Sequence, residues 1–250
     1  MDVSAADGHG FTAEGVSVVV PVYNEQESIR DVLAELAEVM RKFGRPFEII
    51  CVDDGSTDGS PGILQALKAG PIPEMRVLRL VPNSGQSAAF GVGFRQATFA
   101  LTVTMDADGQ NDPADIPTLL AGLEQADLCC GYRAKRRDSW SKRMGSRIGN
   151  GVRNWLLGAR IIDTGCSLKA FRTEQVRRLP MLEGMHRFLP NLCVLQGATI
   201  RQIPVNHRPR LRGTSKYSNF GRLLKTVPDV LAVYWMKRRT RRFTVIEVQG

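Results

Sequence analysis

The sequence predicts an α/β fold in which helices flank a mostly parallel sheet. Three observations predict it. Apolar, β-branched runs recur at 16–21, 47–52, 75–80, 101–105 and 127–132. Each reads as a buried strand, because a strand covered on both faces shows no polar alternation. Segments of helical spacing separate these runs, and strand–helix alternation implies parallel crossovers. Several runs also end abruptly in acidic loops, at the carboxyl edge where open α/β sheets bind ligands.

Residues 1–15 are Gly-rich and acidic and read as a flexible tail. After the first strand, Asn24 with Glu27 forms a candidate capping box. Ile29, Val32, Leu33, Leu36, Met40 and Phe43 then keep helical spacing. The second strand runs into Asp53-Asp54-Gly55-Ser56-Thr57-Asp58. There Asp58 is expected to cap a helix and Asp53 to face the ligand edge. The third strand leads through Asn83-Ser84-Gly85-Gln86 to a helix expected over 87–98. Gly91-x-Gly93 lies inside that helix pattern rather than just after a strand. It therefore reads as a close-packing device and not as a dinucleotide fingerprint.

The fourth strand ends in Met105-Asp106-Ala107-Asp108-Gly109-Gln110. Asp112 is a plausible N-cap, Pro113 fits the first turn, and Asp115 suits a first-turn acid. Period-two alternation would aim Asp106 and Asp108 to one side of an extended chain. Two such carboxylates suit a hard divalent cation, Mg²⁺ or Mn²⁺. An acidic turn is the alternative. A fifth strand, a helix-like stretch at 187–196 and a strand from 198 to about 207 follow.

Hydrophobic content of 43% and charged content of 24% are ordinary for a globular chain. No run reaches the ~18–20 apolar residues of a membrane span, and no secretory signal is visible. Cys51, Cys129, Cys130, Cys166 and Cys193 lack CxxC spacing and read as reduced, buried thiols of a cytosolic protein. The net charge of +9 is concentrated at the end of the chain. Residues 201–250 hold 12 Lys and Arg against 2 Asp and Glu, a net +10, whereas the first 200 carry −1. A basic end of this kind implies a membrane surface or a nucleic acid as partner.

Taken together and in order, Pro21-Val22-Tyr23-Asn24-Glu25, the 52–58 acidic loop, Asn83 to Gln86 and Asp106 to Gln110 resemble the family-2 glycosyltransferases of GT-A (Rossmann-like) fold. Gly131-Tyr132-Arg133, the stretch from Asp163 to Lys169, the stretch from Met185 to Phe188, and Arg210-x-x-Gly213-x-Ser215-Lys216-Tyr217 narrow the likeness. They resemble the polyprenyl-phosphate group, similar to dolichyl-phosphate mannose synthase. The resemblance covers about 16–217 and leaves 218–250 as a basic, amphipathic, membrane-facing segment.

The resemblance implies inverting, metal-dependent transfer of one sugar from a nucleotide diphosphate sugar, UDP favoured over GDP, to a polyprenyl monophosphate. It implies metal ligation by Asp108, with Asp106 and Gln110 close by. It assigns Pro21, Tyr23, Glu25, Asp53, Asn83, Gln86 and Asp106 to nucleotide binding. Catalytic weight then falls on Asp106, Asp108, Arg133 and Lys216. Arg133, Arg147, Arg210, Ser215 and Lys216 are the candidates for the acceptor phosphate. A phosphomonoester has a second pKa of ~6, so it needs cations to place it rather than a strong base. In relatives that glycosylate a hydroxyl, an acid near Asp163 acts as base, and that rival reading stays open. The Gln-x-x-Arg-Trp signature of processive synthases is absent, which favours a single transfer. His186 and His207 are expected to pack rather than to ligate metal.

The apolar residues Leu223, Leu224, Val227, Val230, Leu231, Val233, Tyr234, Trp235 and Met236 precede Lys237-Arg238-Arg239. This pattern suits an interfacial helix on anionic lipid, with Tyr234 and Trp235 at headgroup level. An ordinary packing helix is the alternative. The expectation is a peripheral protein on the cytoplasmic face of the membrane, with a possible membrane protein partner. Nucleic-acid binding by the basic tail is the rival from another class. It leaves the acidic strand ends unexplained.

Overall fold

The computed structural model describes residues 12–134, 151, 153–209 and 219–240. Among the described residues seven strands form one sheet: β1 (Thr12–Val22), β2 (Phe47–Asp53), β3 (Met75–Arg79), β4 (Phe99–Thr104), β5 (Leu128–Arg133), β6 (Lys169–Arg172) and β7 (Ile200–Val205). Their spatial order is β3-β2-β1-β4-β6-β5-β7. All pairings are parallel except those of β6, which runs antiparallel to both β4 and β5. The helices are α1 (Ile29–Phe43), α2 (Ser60–Ala69), α3 (Gln86–Gln96), α4 (Ile116–Gly122), α5 (Thr173–Arg177), α6 (Leu189–Leu195) and α7 (Asn219–Arg239), with a further helical turn at 153–157.

β1 lies between β2 and β4, in register from Val16 opposite Phe47 to Val22 opposite Asp53. Its alternate residues feed two cores. Val16, Val18, Val20 and Val22 pack with Ile29, Leu33, Leu36 and Met40 of α1, Leu64 of α2 and Ile116 of α4. On the opposite face Val19, Ile50 and Val52 meet Phe90 and Phe94 of α3, together with Phe171, Phe188, Leu192 and Val233. This two-sided burial is why the strands read as continuous apolar runs.

The structure differs from the sequence expectations at several points. Thr12 pairs with Phe99, so 12–15 join β1. The capping box is absent: α1 begins at Ile29, and Asn24 is left-handed at φ 54°. The Asn24 Oδ1 instead accepts from the Thr57 amide at 2.8 Å, which spends the side chain on a neighbouring loop. The N-cap position of α2 is Gly59 rather than Asp58, which sits one residue earlier and accepts from the Ser60 amide at 2.9 Å. Asp112 accepts from the Ala114 amide and heads a 3₁₀ turn that leads into α4. α7 continues through Pro228.

The small residues of α3 act as expected. A Cβ on Gly93 would collide with the Val19 side chain, and one on Gly91 would lie 2.9 Å from Met181 Cβ. Helix propensity alone says that Gly93→Ala stabilises, by about 1 kcal/mol. Overpacking against β1 opposes this with about 1–3 kcal/mol. Gly93→Ala is therefore expected to lower the urea midpoint, and a raised midpoint would show that α3 can move off the sheet.

Candidate active site

Because β1, β2, β4, β5 and β7 are mutually parallel, their carboxyl ends share one edge. The antiparallel β6 begins there. The loops carrying Tyr23, Asp53, Asp106, Arg133 and Asn206 thus meet at that edge, together with Lys169 at the start of β6.

At the β1–β2 end the loops interlock. The Asn24 amide donates to Ser56 Oγ at 3.0 Å and the Glu25 amide to Ser60 Oγ at 2.9 Å. Pro21 is half-buried and Tyr23 is exposed. Asp53 is buried, accepts from the Ser56 amide at 2.9 Å and pairs with Arg79 at 3.4 Å. Together with Pro61, Gly62, Gln65, Val77 and Arg79 it lines a cavity of about 280 Å³. Asn83 is used differently from the expectation. Its amide donates to the Asp54 carboxylate at 2.9 Å, and the Ser84 and Gly85 amides donate to the same carboxylate. Asn83 therefore braces the loop that presents Gln86.

β4 stops at Thr104, so Asp106 and Asp108 lie on the following loop and not on an alternating strand. They nonetheless act on one another. The Asp106 carboxyl is pushed up to about 6, first by burial and then by the Asp108 charge. Ser167, Lys169 and Gln86 pull the other way. Gln86 Nε2 donates to Asp106 Oδ1 at 2.8 Å, and Asp108 Oδ1 accepts from the Gln110 amide at 3.1 Å. Ser28 Oγ ties the loop to α1 through the Ala107 carbonyl at 3.0 Å. The two mutually repelling carboxylates are hard oxygen donors, and they supply too few protein ligands to enclose a cation. This fits a divalent ion that also takes substrate phosphate oxygens. Among the described residues no cluster of three or more His, Cys, Asp or Glu could hold a metal by itself.

On the β5 side Arg133 and Asp163 form a bidentate pair: Nε to Oδ2 at 2.6 Å and Nη2 to Oδ1 at 2.8 Å. The Arg133 and Gly165 backbone amides also donate to Asp163, at 3.3 and 3.1 Å. A Cβ at position 165 would lie 2.9 Å from Arg133 Nη2, so glycine lets the guanidinium lie on the backbone. Arg153, which the sequence reading did not single out, reaches the same loop, with Nη1 donating to Thr164 Oγ1 at 2.6 Å. Lys169 is buried at the start of β6 and donates to the Cys166 carbonyl.

The chain after β7 is stitched to the Asp106–Asp112 loop. The Arg208 amide donates to the Gln110 carbonyl at 3.0 Å, and His207 bridges Asn111. The Arg208 guanidinium grips Glu35 at 2.7 and 2.8 Å and Asp112 at 2.8 Å. His186 packs its Nδ1 on Ser87 Oγ at 2.8 Å, next to Gln86. Burial drives its imidazole down to about 3, helped by the positive Arg187 and Lys169. Arg147, Arg210, Ser215 and Lys216 lie outside the described residues.

A family model described as "Glycosyl transferase family 2" matches residues 17–179. The undecaprenyl-phosphate 4-deoxy-4-formamido-L-arabinose transferase of Edwardsiella ictaluri is 36% identical over 207 residues, covering 82% of this chain and 64% of that protein. The dodecaprenyl-phosphate galacturonate synthase of Rhizobium johnstonii is 33% identical over 232 residues, covering 91% of this chain and 68% of that protein. The chain thus spans about two thirds of the length of these curated relatives. Among solved structures, glucosyl-3-phosphoglycerate synthase from Mycobacterium tuberculosis, in complex with Mn²⁺, UDP and phosphoglyceric acid, superposes with a TM-score of 0.68 at 19% identity. That match covers 92% of this chain and 80% of that one. At that identity it speaks to the fold alone.

The Arg133–Asp163 pair has side chains only 19% and 6% exposed. Asp163→Ala strands a guanidinium in a poorly hydrated place, and the expected loss is about 2–3 kcal/mol of unfolding free energy. Urea titration reads it, and an unchanged midpoint would mean that the pair contributes nothing to the fold.

Proposed function

Because the chain belongs to glycosyl transferase family 2, we propose that it transfers one sugar from a nucleotide diphosphate sugar to a polyprenyl monophosphate at a membrane surface. The observation that carries this reading is the order of groups along the sheet edge. A cavity walled by Asp53 comes first, the Asp106–Asp108 loop is central, and the Arg133–Asp163 pair follows beyond β6. That is the order of nucleoside, diphosphate and acceptor in a direct displacement.

Tyr23, Glu25 and Asp53 would hold the nucleoside, and Gln86 would keep Asp106 in place. Asp106, Asp108 and Gln110 would hold Mg²⁺ or Mn²⁺. Bound there, the ion neutralises the charge that grows on the leaving diphosphate. UDP is favoured over GDP on the resemblance given above, and the Asp53 cavity of about 280 Å³ is the proposed seat of the base. Both polyprenyl-phosphate relatives support the acceptor class.

The acceptor phosphate is already an anion at neutral pH. One of its oxygens attacks the anomeric carbon while the carbon–oxygen bond to the diphosphate breaks, which inverts the centre. No proton needs to be removed. The rival reading, in which Asp163 deprotonates a sugar hydroxyl, fits poorly. Asp163 has both oxygens on Arg133, and an ion-paired carboxylate is a weak base. Asp163 acts instead as a positioning residue for Arg133.

The C-terminal helix suits a lipid partner better than a nucleic acid. Val227, Leu231 and Trp235, four residues apart, are exposed along α7, and Lys237, Arg238 and Arg239 follow. Phosphate contact alone has no use for such a stripe. Among the described residues no helix is long and apolar enough to cross a membrane. The exposed stripe and its basic end carry the proposal of attachment at the cytoplasmic face of the membrane, by itself or with a membrane protein partner.

Asp108→Ala is expected to cut transfer about a thousandfold or more at unchanged folding, and excess chelator should do the same. Full turnover under either condition would remove the metal from the mechanism. Leu231→Ser with Trp235→Ser, both at exposed positions, should leave the melting temperature unchanged. The same double variant should weaken sedimentation with anionic liposomes about tenfold or more. Wild-type sedimentation by the folded double variant would exclude the interfacial helix.

A further inference from the structure

We infer that Arg153 completes a seat with Arg133 for the phosphate of the lipid acceptor, a step that rests on the reading just given. Arg153 lies on the helical turn at 153–157. Its Nη1 is used on Thr164, but its Nε and Nη2 are buried and have no hydrogen-bond partner among the described residues. Guanidinium donors lie in one rigid fork, and leaving buried ones unpaired is costly. Each such group in a folded chain needs an explanation, and a ligand that satisfies it is one.

The nearby carboxylate does not meet this need. Asp163 is committed bidentately to Arg133 and also accepts from the Gly165 amide. Two guanidiniums against one carboxylate leave the loop with a surplus of positive charge. Burial holds the Arg153 pKa below its ordinary range, and Asp163 offsets part of that. A planar fork with two unmet donors matches a phosphate, which takes two parallel N–H bonds.

The phosphate could in principle come from the donor diphosphate or from the acceptor. The topology favours the acceptor. The Asp53 cavity and the Asp106–Asp108 loop sit at β2 and β4, while Arg133 ends β5, two strands beyond β4. At a strand spacing of ~4.8 Å that is roughly 10 Å past the metal loop. The surroundings also suit a lipid phosphate. The same turn and the 160–162 segment border an open hollow of about 410 Å³, lined by Asn154, Trp155, Arg160, Ile161 and Ile162, neighbours of Arg153 in the chain. Trp155 is 81% exposed and Ile162 54%, which leaves an apolar surface beside the cations for the first prenyl units. Lys237 of α7 donates to the Leu156 carbonyl at 3.1 Å, which joins this turn to the basic end of the C-terminal helix.

The test measures binding of farnesyl phosphate, and separately of UDP with Mn²⁺, to the wild type, Arg153→Gln and Arg153→Lys. Arg153→Gln is expected to weaken farnesyl phosphate binding about tenfold to a hundredfold, with UDP affinity unchanged. Arg153→Lys should recover part of the loss. Arg153→Gln removes two donors that the fold leaves unmet together with one bond to Thr164, so its melting temperature should stay close to that of the wild type. Unchanged farnesyl phosphate binding in Arg153→Gln would overturn the seat, as would an equal loss of UDP affinity, which moves Arg153 to the donor. If Arg153→Gln melts lower, the Lys variant decides. Selective loss of prenyl phosphate affinity at wild-type stability supports the seat, and wild-type affinity overturns it. A wild-type protein that binds UDP but no prenyl phosphate would overturn the acceptor reading and the seat with it.

Discussion

The geometry of the edge depends on one side chain, that of Asn111. It is buried, and its Oδ1 accepts from the Asp106 amide at 3.0 Å and from Ser167 Oγ at 2.7 Å. Its backbone pairs with His207. Three loops, following β4, preceding β6 and following β7, therefore meet on one residue. Both lone pairs of a buried amide oxygen are used, so another side chain there would leave two donors unmet. The acidic loop, the Asp163 loop and the root of the segment that carries Arg210 and Lys216 are held in one frame. Arg208 extends that frame to α1 through Glu35 and Asp112.

That frame holds charges that would not otherwise stay together. Asp106 and Asp108 repel one another, while Arg133 pairs with Asp163 and Arg153 reaches the adjoining Thr164. Lys169 is buried between the two groups and acts on both Asp106 and His186. On the proposed reading, a cation at the acidic loop and a phosphate at the arginines would each relieve the charge gathered there. A displacement between two anions, a phosphate attacking a sugar diphosphate, requires this separation of charge. The rigid sheet fixes its span.

Much of this was legible in the sequence, for physical reasons. Strands buried on both faces leave unbroken apolar runs, so all five runs at 16–21, 47–52, 75–80, 101–105 and 127–132 are strands in the fold. Acidic residues at their ends marked the edge because carboxyl ends of parallel strands gather there. Gly91 and Gly93 read correctly as packing residues, since their position inside a helix excluded a phosphate loop. What escaped was tertiary in origin. β6 is four residues long, too short to show periodicity, and its antiparallel direction follows from the chain around it. Asn24 and Glu27 matched a capping box locally, yet Asn24 had a stronger use across 33 residues. The pairing of Arg133 with Asp163 also joins residues 30 apart, and no local rule announces it. Gly165 was the available signal, a glycine where the guanidinium approaches the backbone.

The C-terminal helix shows why the membrane and packing readings were hard to separate by sequence, and why they are compatible. Val233 is fully buried in the second core, with Val230, Tyr234 and Met236 partly packed against it. Val227, Leu231 and Trp235 face away from that core. An α-helix advances about 100° per residue, so residues four apart share a face while those two apart oppose one another. The apolar count of the segment was therefore never evidence for one role. It contains enough hydrophobic surface for two faces, one against the domain and one outside it. Asp229 approaches Arg187 at 3.9 Å, and a Cβ on Gly184 would clash with its carboxylate, so the helix is seated closely on the segment that delivers His186 to Ser87. The side that packs consequently also positions the site, while the exposed side remains available to the membrane surface proposed above.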